Sequence, residues 1–153
     1  MPSETRWFAK AAMFFLFLTF AVGAAMTFAR NGGVAVPGII AVEHAHLGFV
    51  GFLVNMVIGI ALSMLPADRD RYPQTRGRYP ARAPIACWLL LNAGLIARVV
   101  VEPFQSLRET PALAFSALLD IAAVAQLVAI VIFVSIAWHR IRPAAAERFG
   151  TRA

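Results

Sequence analysis

The chain has 153 residues, 60% of them hydrophobic, a mean hydropathy of +0.72 and a formal net charge of +6. Soluble domains are about 45–50% apolar, so an ordinary water-soluble domain is excluded as the body of this protein. A single cysteine, Cys87, excludes an internal disulfide and reads as a small buried hydrophobe.

Four apolar stretches approach the roughly 20 residues that cross a bilayer. They are predicted at residues 8–29, 43–65, 83–103 and 112–138. The expected fold is all-α: one transmembrane domain over residues 1–153, built as an antiparallel four-helix bundle. The first segment is long for a signal sequence and lacks a small-x-small cleavage site, so it is expected to be retained. Met26 lies near its far end, as core packing or as a sulfur ligand for haem iron.

The arginines orient the bundle. Arg6 and Lys10 stand at the start of the first segment. Arg69, Arg71, Arg76, Arg78 and Arg82 lie between the second and third, and Arg140, Arg142, Arg148 and Arg152 follow the fourth. The other two loops carry only Arg30 and Arg108. Positive residues favour the cytoplasmic side, so both termini are expected there. Trp7, Trp88 and Trp138 then fall at one interface, as an aromatic belt requires. A charge laid out this way implies contact with membrane lipid headgroups and not with nucleic acid. The Gly32-Gly33 and Pro37 loop reads as a flexible turn, and the 104–111 loop is short enough to make the last two helices neighbours.

Orientation fixes depth. His44, His46 and Glu43 at the head of the second segment, Arg98 and Glu102 late in the third, and Asp120 early in the fourth all converge on the outer half. His139 ends the fourth segment a bilayer away from them and reads as a headgroup-level residue. Ionisable side chains at membrane depth point to function, and imidazole is the commonest transition-metal ligand.

Two residues apart on a helix, His44 and His46 are turned about 200° from each other and cannot grip one metal. An extended start would instead place both on one side. In the helical case His44 shares a stripe with Gly48, Gly51, Asn55, Gly59 and Leu62, open to close approach by another helix or by a flat macrocycle. Arg98 and Glu102 are spaced i,i+4, either as a neutralised pair or as groups facing a haem propionate. Asn55 and Asn92 could bond each other across two helices.

The stretch His44-Ala45-His46-Leu47-Gly48-Phe49-Val50-Gly51-Phe52-Leu53-Val54-Asn55 resembles the second helix of haem–copper oxidase subunit I, closest to the C-type oxidases and nitric-oxide reductases. The H-A-H form is similar to the NnrS family of haem- and copper-containing membrane proteins. The run Trp88 to Pro103, with Asn92, Arg98 and Glu102, looks like a corresponding helix there. The resemblance covers about a quarter of the chain. It implies haem b as cofactor, with His44 as its ligand, Gly51 and Asn55 matching the family's Gly and Asn, and His46 standing where those enzymes carry Asn. It does not imply oxygen reduction, because the histidines of a copper site beside a second haem are missing, so no enzymatic activity is expected from one chain alone. The function expected is haem binding through His44, with His46 as second ligand or hydrogen-bond partner, Arg98 and Glu102 at the propionates, and an electron-transfer or nitric-oxide-related role in a bacterial inner membrane. A homodimer or a respiratory-complex partner would complete the site. The alternative is a copper-binding or assembly accessory protein with His44 and His46 as metal ligands.

Overall fold

The structure is a computed structural model that describes residues 3–67, 72–75, 77, 79–108, 110, 112–138 and 140–141. His139 and most of the loop and tail arginines (69, 71, 76, 78, 142, 148 and 152) lie outside the described residues. Every regular element among those described is helical. Helix α1 spans Ser3–Asn31 and α2 spans Gly38–His46; a π-helical stretch, Leu47–Val54, carries α2 directly into α3, Asn55–Met64. A 3₁₀ turn at Pro73–Thr75 precedes α4, Arg82–Ser106, and α5, Leu113–Trp138. Because α2, the π stretch and α3 are continuous, four helical segments are long and apolar enough to cross a membrane.

The second segment starts at Gly38, five residues ahead of the expected 43. Pro37 supplies a preset φ of −56° at the N-cap, and its carbonyl accepts from Ile40 N–H at 3.0 Å. The apolar run Gly38 to Val42 then forms a first turn, so Glu43, His44 and His46 are all inside a helix. The extended alternative for the histidine pair is not adopted. Helix α4 likewise runs past 103 to Ser106, carrying Pro103 in its last turns.

The π stretch has a local cause. Asn55 Nδ2 donates to the carbonyls of Val50, at 3.3 Å, and Gly51, at 3.0 Å, satisfying oxygens that the widened turn frees. Bonding i to i+5 puts an extra residue in each turn, so the face predicted at a period of 3.6 does not stay on one line. Gly48, Gly51 and Gly59 face α1, whereas Asn55 faces α4.

Three close approaches hold the helices. A Cβ on Gly51 would lie 2.7 Å from Phe15 Cβ and Cγ, and one on Gly59 would lie 3.0 Å from Phe8 Cβ. Gly94 presses on the Ala122 carbonyl and Gln126 of α5, where Cys87 Sγ also donates to the Ala129 carbonyl at 3.2 Å. Between α3 and α4, Asn55 and Asn92 exchange two amide hydrogen bonds of 3.1 Å each. Both amides are buried, so this pair joins helices where water cannot. Small residues and reciprocal amides are what helix association in lipid rests on, because burying apolar surface gains nothing there. Phe8, Ile58, Leu62, Cys87, Leu91 and Ala129 form the central core. Phe17, Phe20, Phe28, Ile121, Val124 and Leu127 stay exposed, as residues facing lipid would.

Candidate functional site

The first groove is made by one face of α1. Thr19, Gly23, Met26 and Arg30 recur at intervals of three and four residues, with Thr27 beside them, a polar-to-soft stripe on a helix otherwise rich in Phe. Together with Phe20 and Ala24, and with Ala41 and His44 of α2, they line a groove of about 740 Å³. That is within the range of about 300–1,000 Å³ usual for small-molecule and cofactor sites.

Gly23 sets the position of His44. A Cβ there would come 3.1 Å from His44 Cε1, so the imidazole edge lies in the space that this glycine leaves. His44 Nδ1 is enclosed and meets no hydrogen-bond partner, which leaves Nε2 as the less enclosed ring nitrogen. The π stretch begins one turn later, where Gly48 meets Thr19 Cγ2 at 3.3 Å (Cβ position) and Thr19 donates to the Phe15 carbonyl at 2.8 Å.

His46 faces elsewhere. Its Nδ1 lies 3.0 Å from the Val42 carbonyl, a contact in which Nδ1–H donates, and Nε2 makes no hydrogen bond among the described residues. It lines a separate groove of about 510 Å³ with Ala41, Val42, Ala45 and Phe49. The two histidines therefore serve different grooves, and among the described residues no three His, Cys, Asp or Glu side chains come together as a metal site.

A third direction belongs to the charges. Glu43 is 4% exposed and turns toward α4, facing Glu102 and Arg98. Arg98 Nε donates to Glu102 Oε2 at 2.9 Å. Apart from the Glu102 carboxyl, with which it is in hydrogen-bonding contact, Glu43 meets no donor; His46 Nδ1 stands 3.9 Å away. Arg98 and Glu102 are thus brought together as the i,i+4 spacing predicts, but beside Glu43 and not among the residues that line the His44 groove. The cation in that lining is Arg30, in the last turn of α1.

Of the expected site residues, Gly48 and Gly51 are occupied by contacts to Thr19 and Phe15, and Asn55 by Asn92. Met26 does reach the same groove as His44. Asp120 is exposed in the N-terminal half of α5. Sequence reasoning missed Gly23, Thr27 and Arg30. The i, i+4, i+7 recurrence of Thr19, Gly23, Met26 and Arg30 was the available signal, masked by the uniform hydropathy of the first helix. Comparison with protein-family models, curated proteins and solved structures gives no match to this chain.

Proposed function

We propose that this is an integral membrane protein that binds haem b in the groove between α1 and α2, with His44 as its iron ligand. The carrying observation is the meeting of His44, Met26 and Arg30 along one groove of about 740 Å³. The donor set fits the group: an imidazole nitrogen and a thioether sulfur are both axial ligands of haem iron, and a guanidinium suits a propionate. Haem would supply one-electron iron chemistry. His44 would bind, Gly23 would fix the plane of the ring, and Arg30 would hold a carboxylate at the outer rim. The chain would lie in a bacterial inner membrane as an antiparallel bundle with both termini cytoplasmic. The arginine distribution supports the cytoplasmic termini, and the pairing of Phe8 with Gly59, Phe15 with Gly51 and Gly23 with His44 supports the antiparallel course of α1 and the second segment. The role would be electron transfer or response to nitric oxide, in a homodimer or beside a respiratory partner.

The test is a visible spectrum of the purified protein with iron analysis. A Soret band lost in His44→Ala and kept in His46→Ala carries the reading; a colourless, iron-free protein expressed with ample haem removes it. The copper-accessory alternative has one observation in its favour. The Val42 carbonyl fixes the His46 tautomer and leaves Nε2 free, the arrangement in which a second-shell acceptor orients a metal-binding histidine. Copper bound through His46 would give metal without a Soret band.

A further inference from the structure

At the opposite end of the bundle from the histidines, Arg140 folds inward just beyond α5 and is 3% exposed. Its Nη2 donates to the Gly77 carbonyl at 3.1 Å. Its guanidinium carbon sits 4.9 Å from the centre of the Tyr79 ring, whose hydroxyl donates to the Leu62 carbonyl at 3.1 Å. Gly77 holds φ at +84°, a backbone that other residues rarely adopt, as it turns this carbonyl toward the arginine.

All these partners are neutral. Among the described residues no carboxylate pairs with Arg140, and its Nε–H meets no acceptor. A guanidinium offers five N–H donors and stays charged at any physiological pH. Enclosing it without a counter-charge is unfavourable, so among the described residues the cation is short of an anion. Beside it runs a groove of about 290 Å³, lined by Ala61, Met64, Leu65, Pro66 and Ile141 as well as Arg140. One fixed cation in the lining of an otherwise apolar trough matches an amphiphile with an anionic head.

We propose that Arg140 binds the phosphate of an anionic phospholipid, whose acyl chain enters the groove against Ala61, Met64 and Ile141. A phosphate oxygen can take a guanidinium donor that Gly77 leaves unused, and on the orientation proposed above this end lies at the cytoplasmic leaflet, where anionic lipid concentrates. The site is independent of the haem reading, and its test needs no cofactor.

The full chain is placed in nanodiscs, and competition between phosphatidylglycerol and phosphatidylcholine is read by native mass spectrometry. One retained phosphatidylglycerol per chain, preferred about five- to tenfold, is expected. Arg140→Gln should bring the preference to near unity, and Arg140→Lys should keep part of it. Ala61→Leu should lower lipid retention while leaving the cation in place, and Lys10→Gln, an exposed cation of α1, should change neither. Ala61→Leu and Lys10→Gln keep the test open if Arg140→Gln does not fold. Equal retention of both lipids by the unmodified chain overturns the proposal. So does displacement of phosphatidylglycerol by inorganic phosphate alone, which would make this a free-anion site.

Discussion

Replacing Gly51 with alanine tests the packing that places every other group. The added Cβ would stand 2.7 Å from Phe15 Cβ and Cγ. Carbon atoms rest at about 3.5–4.0 Å, so the overlap is close to 1 Å. Phe15 is 4% exposed, and the clashing Cβ is bonded directly to the α1 backbone, so no rotamer change relieves it. Overpacking of this kind costs about 1–3 kcal/mol, and a clash with backbone-bound carbon belongs at the upper end. Alanine in place of glycine returns about 0.8–1.0 kcal/mol of helix propensity. The net expectation is a loss of about 1–2 kcal/mol. Gly23→Ala is the paired control. Its Cβ meets only the tip of the His44 ring, at 3.1 Å, and the ring can yield by a few tenths of an ångström. Its fold should be as stable as the parent's or more so, whereas its histidine is displaced. Equilibrium unfolding in mixed detergent micelles, followed by circular dichroism, separates the two. A Gly51→Ala protein as stable as the parent would refute the helix contact deduced here. Comparable destabilisation by Gly23→Ala would show that His44 cannot move, and that the groove is more tightly built than its outline suggests.

Other outcomes follow from the same geometry. Asn55→Leu should destabilise by about 0.6–1.7 kcal/mol because it takes the cross-helix bonds from Asn92 and the Nδ2 donor from the Val50 and Gly51 carbonyls, whereas the Asn55→Leu, Asn92→Leu double variant should lose less than the sum of the two single variants; additive losses in a double-mutant cycle would deny the coupling. His44→Leu should leave the cofactor-free fold as stable as before or stabilise it, since the ring nitrogen Nδ1 now sits enclosed without a partner, and a clear drop in unfolding free energy would mean that the ring is held for structure. Arg30→Gln should weaken haem retention in a transfer assay to apomyoglobin, and Arg98→Gln should instead lower the unfolding midpoint by leaving Glu43 and Glu102 facing each other without their cation; the reverse assignment would put the propionates at Arg98. Reporter fusions at Gly33 and at the C-terminus should report opposite sides of the membrane, and a shared side would undo the proposed orientation.

The sequence by itself determined the helical class and the number of spanning segments. Runs of 20 or more apolar residues leave the backbone no other way to satisfy its hydrogen bonds in lipid. It also determined the Arg98–Glu102 pair, because i,i+4 neighbours meet whatever else the helix touches. The amide pair of Asn55 and Asn92 was legible in outline, since two amides at membrane depth must find partners. Only the tertiary structure decided which face of each helix meets which neighbour. The glycine stripe on the second segment could take a macrocycle or a helix, and Phe8, Phe15 and Thr19 take it. The widened turn at Leu47–Val54 breaks the 3.6-residue period on which that stripe was drawn and sends Asn55 to α4 while the glycines stay on α1. Adjacent positions on one helix point about 100° apart, so Glu43 goes to α4 and His44 to α1 while His46 lines a groove of its own, and a cluster drawn from depth alone divides in three. Depth is a one-dimensional property that hydropathy and charge can fix. The recurrence of Met26 and Arg30 on one face of α1 is local, but the contact that turns this face to His44 is made between distant segments, and no local pattern in the chain encodes it.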